Sequence, residues 1–82
     1  MRALNRAIEL DPRRAESYNA RGYAYLRMRS YVNAVRDFTE AIRLRPDYVN
    51  AYRNRAAARR RSGDAPGADA DQHKAAELEK AR

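Results

Sequence analysis

Five arginines, Arg53, Arg55, Arg59, Arg60 and Arg61, crowd the stretch AYRNRAAARRR at residues 51–61. Guanidinium groups at this density suit two chemistries: neutralising phosphates, or offering paired charge-assisted donors to carboxylates. Tyr48 and Tyr52 interleave with them, but no base-reading motif, zinc spacing or aromatic strand of an RNA-binding domain accompanies the arginines. Nucleic acid therefore ranks second to a partner that carries acidic residues. Acid–base chemistry has a single candidate, His73, with Asp69 four residues before it and Glu77 four residues after. That spacing describes a solvated helical face, and no serine or cysteine is placed for His73 to activate. Gly22, Gly63 and Gly67 form no phosphate-cradling loop. With no cysteine and one histidine, neither a disulfide nor a histidine- or cysteine-rich metal site is expected. The residues point away from an enzyme and from any cofactor.

The elements that would carry these groups must fit into 82 residues, one domain at most. A chain of this size buries only about 60% of the surface it exposes when unfolded. Apolar content rests mainly on alanine, with six tyrosines, one phenylalanine and no tryptophan, which suits thin, closely packed helices. No apolar run approaches the roughly 20 residues of a membrane span, and the acidic, amphipathic start MRALNRAIELDP does not read as a signal peptide. No membrane partner and a cytoplasmic location are the corresponding expectations. The net charge of +7 is uneven: residues 1–63 hold fifteen arginines and six acids, a net +9, while residues 64–82 hold three basic residues and five acids, a net −2. Such asymmetry steers acidic partners, although 16 of the 18 basic residues being arginine also fits a genome rich in arginine codons.

A period of 34 organises the chain. Pro12 and Pro46 are 34 residues apart, and the same shift aligns Tyr18 with Tyr52, Arg21 with Arg55, Ala24 with Ala58, Ala34 with Ala68, Asp37 with Asp71, Ala41 with Ala75 and Leu44 with Leu78. In the other direction Leu4, Ala7, Ile8 and Leu10 fall under Phe38, Ala41, Ile42 and Leu44. Within each unit the apolar spacing is helical, predicting helices near residues 2–10, 15–28, 31–44, 49–61 and 66–81. Ser30 is expected to cap the third helix and Pro46 to end it. Pro66 and Gly67 weaken the start of the last one, which reads as a capping or fraying helix.

Seven residues of one unit, Tyr18, Gly22, Tyr25, Ala34, Phe38, Ala41 and Pro46, stand at the offsets of the tetratricopeptide repeat, and the unit length agrees. The chain resembles that family. The resemblance implies an all-α, short antiparallel helix-turn-helix solenoid of about two and a half repeats: residues 1–14 a half repeat, 15–48 a complete one, and 49–82 a degenerate or capping one. Arg21 and Arg55 depart from the family's usual leucine; their stems are expected to pack while the guanidinium groups reach water. In the last unit Tyr25, Phe38 and Ile42 give way to Arg59, Gln72 and Ala76, thinning the apolar layer as a wet outer face would.

The resemblance also implies a function: a preformed concave groove lined by the first helix of each unit, which holds a peptide or protein segment. Carried onto this chain, the peptide-binding residues are Asn19, Tyr23, Arg27, Asn50, Arg53, Asn54, Arg60 and Arg61. Asn54 is the leading one, because an asparagine there in many peptide-binding members grips ligand backbone or a terminal carboxylate, and its amide offers both donors and an acceptor. Members that clamp a C-terminal carboxylate place lysine and asparagine where this chain has Asn19 and Tyr23, so an acidic segment is the broader expectation. Exposed solenoid ends make self-association, as a homo-oligomer or as a fragment of a larger solenoid, the structural alternative.

Overall fold

The sequence folds into five helices, α1 (Arg2–Leu10), α2 (Ala15–Arg27), α3 (Tyr31–Leu44), α4 (Val49–Arg61) and α5 (Ala65–Lys80). A computed structural model describes residues 1–81. All five predicted helices are present, with boundaries that shift by at most one residue. Among the described residues there is no strand, and no helix is long and apolar enough to cross a membrane.

Two kinds of turn alternate. After α2 the chain reverses through Arg29 at φ 61, with the Ser30 amide donating to the Tyr25 carbonyl and the Arg29 amide to the Leu26 carbonyl. After α4 the same bonds recur 34 residues on: Gly63 takes φ 97, the Asp64 amide donates to the Arg59 carbonyl and Gly63 to Arg60. This is the Schellman ending, in which a left-handed residue turns the chain so that it closes the last carbonyls of the helix. The other turns follow α1 and α3, where Pro12 and Pro46 cannot continue the helix.

The two N-terminal expectations resolve differently. Ser30 stands at the N-cap of α3, but its hydroxyl accepts from the Asn33 side-chain amide at 2.9 Å and bonds no backbone N–H. The start of α5 is firmer than its Pro66 and Gly67 suggest. The Asp64 carboxylate accepts the Gly67 N–H at 2.9 Å, and a proline in the first turn removes only a donor that has no intrahelical partner. A Cβ on Gly67 would lie 2.2 Å from Asp64 Oδ2, so the glycine leaves room for the capping carboxylate.

Packing follows from small residues. α2 lies against α3 and α4 against α5, α4 also covers α3, α1 rests on α2, and α2 meets α4 along a narrow edge. Among the described residues Phe38 is the only large side chain that is fully buried; it joins Leu26, Ala34 and Ala58, with Tyr25, Tyr31, Val35 and Ala57 around them. A second cluster gathers Ala15, Ala41 and Ala51 beside Tyr18, Ile42, Leu44 and Tyr48. Gly22 lets α2 approach the Phe38 ring: a Cβ there would stand 2.6 Å from Cε1. The result is a thin body, 33 × 29 × 14 Å across its Cα atoms.

Arg21 and Arg55 correct the expectation that their guanidinium groups simply reach water: both turn to carboxylates, with side chains only 23% and 13% exposed. Arg21 Nε and Nη2 bond both oxygens of Asp37 at 2.8 Å, and Nη1 reaches Asn5 Oδ1 at 3.2 Å on α1. Arg55 repeats the arrangement with Asp71 at 2.9 and 2.7 Å and with Thr39 Oγ1 at 3.1 Å on α3. Asp37 and Asp71 are buried, and a buried carboxylate requires a paired charge and satisfied lone pairs. Each arginine thus ties the two helices of its own unit to the helix before it. Hydrogen bonding to Asp37 raises the Arg21 pKa above its ordinary value. Arg59, at the place of Tyr25, turns to the same Asp71, with Nη1 2.9 Å from Oδ2.

Candidate peptide-binding surface

α2 and α4, side by side, supply all eight residues expected to bind a partner. The helical period places Asn19 on the edge of α2 nearest α4, and Asn54 opposite it. Their amides meet: Asn54 Nδ2 donates to Asn19 Oδ1 at 3.1 Å, and Asn19 Nδ2 donates to Tyr48 Oη at 3.3 Å. The three residues are half-buried, so this chain of bonds fixes how both asparagines face outward and leaves the Tyr48 hydroxyl hydrogen to donate further.

Beside that chain, where α3 turns into α4, lies a hollow of about 430 Å³ lined by Arg45, Asp47, Tyr48, Val49, Asn50, Arg53 and Glu79. Two of the expected residues, Asn50 and Arg53, meet there. Arg45 stacks its guanidinium over the Tyr48 ring, 4.5 Å from the centroid, and pairs with Glu16. A backbone N–H at the start of α2 and then Arg45 hold the Glu16 carboxyl below its ordinary pKa. Arg53 Nη2 stands 2.6 Å from Glu79 Oε1.

The remaining four spread apart. Tyr23 is exposed on α2, and Arg27 and Arg61 reach solvent with no ion pair among the described residues. Arg60 turns toward α5, where Nη2 meets Asp69 Oδ1 at 2.8 Å and Gln72 Oε1 at 3.2 Å. Shifting by 34 places Arg60, Asp69 and Gln72 on Leu26, Val35 and Phe38, so a polar network stands where the preceding unit has its apolar core. Sequence reasoning did not reach Tyr48 and Arg45 as members of this surface. It also left Arg21 and Asp37 unpaired, although each recurs 34 residues on with the same separation.

His73 lies on the exposed face of α5, 3.1 Å from Glu77. Among the described residues no group of three histidine, cysteine, aspartate or glutamate side chains could hold a metal ion.

Residues 15–48, which bracket α2, α3 and the Pro46 turn, match the family described as tetratricopeptide repeat. The five-helix body superposes on the crystal structure of MamA with a TM-score of 0.90 and 29% identity, over 95% of this chain and 46% of that one. Residues 15–48 are a tetratricopeptide repeat. Among curated proteins it is 40% identical over 63 residues to a tetratricopeptide repeat and J domain-containing co-chaperone of Cryptococcus neoformans. It is 45% identical over 53 residues to serine/threonine-protein phosphatase 5 of Homo sapiens, and 36% identical over 69 residues to Hsp70-Hsp90 organizing protein 3 of Arabidopsis thaliana. These matches take in 77%, 65% and 84% of this chain but only 11–12% of those proteins. At the level of the fold the chain is a tetratricopeptide-repeat solenoid, a general protein–protein interaction module. Its Arg21 and Arg55 latches sit at positions where the family usually has leucine.

Proposed function

We propose that this tetratricopeptide-repeat module holds an acidic peptide or protein segment along α2 and α4. The meeting of Asn19 and Asn54, 35 residues apart in sequence and 3.1 Å apart in space, carries the reading. Two amides held in fixed orientation offer a ligand backbone both donors and acceptors, and Arg27, Arg53 and Arg61 on the same helices offer charge-assisted donors to its carboxylates. Tyr23, 47% exposed, adds a rigid amphipathic contact surface. The names of two relatives, a co-chaperone and an organizing protein for Hsp70 and Hsp90, are consistent with a module that holds other proteins. The lysine and asparagine of a full carboxylate clamp are absent, so the ligand class is an acidic segment rather than one particular tail.

In the same reading residues 1–14 are a half repeat, and residues 49–82 a degenerate or capping one. The Arg60, Asp69 and Gln72 network supports the capping role, since it puts polar groups where the complete unit has apolar ones.

Recovery of partners by wild type against the Asn54→Ala, Arg53→Glu double variant tests the surface. The variant is expected to lose acidic ligands, and loss of wild-type binding on raising salt from 50 to 500 mM should follow from screening. Equal recovery by both proteins, or tighter binding of a generic oligonucleotide than of an acidic peptide at both salt levels, would overturn the reading.

A further inference from the structure

The Arg53–Glu79 pair does not belong to the repeat. Shifted back by 34 residues, Arg53 becomes Asn19 and Glu79 becomes Arg45. In the earlier unit the residue at that place, Arg45, crosses to Glu16; the residue equivalent to Glu16 in the later unit is the uncharged Asn50. Glu79 turns to Arg53 instead. The contrast with Arg55 and Asp71 is chemical as well as positional. That pair repeats in both units and its carboxylate is buried, whereas the side chains of Arg53 and Glu79 are each about half exposed, at 50% and 51%. A half-exposed pair of this kind adds little to stability and is easily screened. Glu79 also lies in the last turn of α5, which ends at Lys80.

Glu79 therefore brings a carboxylate to Arg53 on the lining of the hollow, which Arg45 and Tyr48 also line. Asp47 is the other acid on its lining, and Glu16 already engages Arg45. With Glu79 in place each arginine of the hollow has a carboxylate of the chain itself.

We propose that this hollow is a carboxylate-binding site and that Glu79 is its tethered occupant, displaced from Arg53 when an acidic side chain of a ligand enters. The proposal rests on the acidic-segment reading above and adds regulation to it: the end of α5 competes with the ligand for the same guanidinium.

Fluorescence anisotropy with a labelled hexaglutamate peptide at low ionic strength tests this on four proteins: wild type, Glu79→Gln, Arg53→Gln and the double variant, with circular dichroism to verify folding. Removing the competitor is expected to tighten binding by about 2- to 5-fold, the range that an exposed pair implies. Arg53→Gln should weaken binding and make Glu79→Gln nearly silent. Tightening of equal size with and without Arg53 would mean a general change of net charge and would overturn the proposal, as would unchanged or weaker binding by Glu79→Gln. Binding that weakens in Arg53→Gln but is indifferent to Glu79→Gln would overturn the competition and leave the acidic-segment reading standing. Absence of saturable binding in all four proteins would overturn both.

Discussion

At the residue scale the arginines divide into three kinds. Arg21, Arg55 and Arg59 hold buried carboxylates, Arg45, Arg53 and Arg60 make pairs that remain largely wet, and Arg27 and Arg61 are exposed. Only breaking a pair of the first kind is expected to cost much stability. Asp37→Leu alone leaves Arg21 facing the interior without its partner, and is expected to cost about 3 kcal/mol, the low end for a broken buried pair because Arg21 keeps a path to water. Arg21→Leu combined with Asp37→Leu should recover most of that loss, since apolar replacement of a buried ion pair is often neutral or stabilising. Urea unfolding of both variants checks this, and a double variant no better than the single one would mean that the latch is required by the fold. Both members of each pair were legible as residues recurring at 34. Their contact was not, because helical spacing identifies faces of one helix and not which groups meet across two.

At the scale of elements, five helices could be read from the sequence because apolar periodicity, prolines and small crossing residues all act locally. α5 was the exception: composition made its start weak, while its stability comes from a cap that Asp64 supplies from outside the helix. Asp64→Ala is expected to cost about 0.5–2 kcal/mol and to raise amide hydrogen exchange mainly in the first turns of α5. Uniform acceleration across α2 to α5 would show instead that α5 opens only with the whole fold. Such an opening would also release Glu79 and Asp69 from α4, so the stability of this helix bears on how freely the basic side of α4 meets a ligand.

At the scale of the whole molecule, a thin body in which Phe38 is the one large side chain fully buried among the described residues depends on many small contacts and on the ion pairs that join its helices. The Glu16 carboxyl is held below its ordinary value by a backbone N–H and Arg45, and the Glu40 carboxyl by Arg43. Carboxyls lowered in the folded state contribute stability above their unfolded values, and that contribution disappears as pH falls through the lowered folded values. The melting temperature is therefore expected to fall on acidification through and below the usual glutamate range, and Glu16→Gln should make the decline slightly shallower. A wild-type and a Glu16→Gln profile that superpose would remove Glu16 from this account. The sequence by itself determined the solenoid: a 34-residue period, helical spacing, and small residues set where backbones must cross. Only the tertiary structure decided what the charges do. Pairing depends on which side chains of different helices arrive within a few ångströms of each other, and on how much water remains between them. That joined Arg21 to Asp37, Asn54 to Asn19 and Glu79 to Arg53, and brought Tyr48 and Arg45 to a surface that the sequence had assigned to α2 and α4 alone.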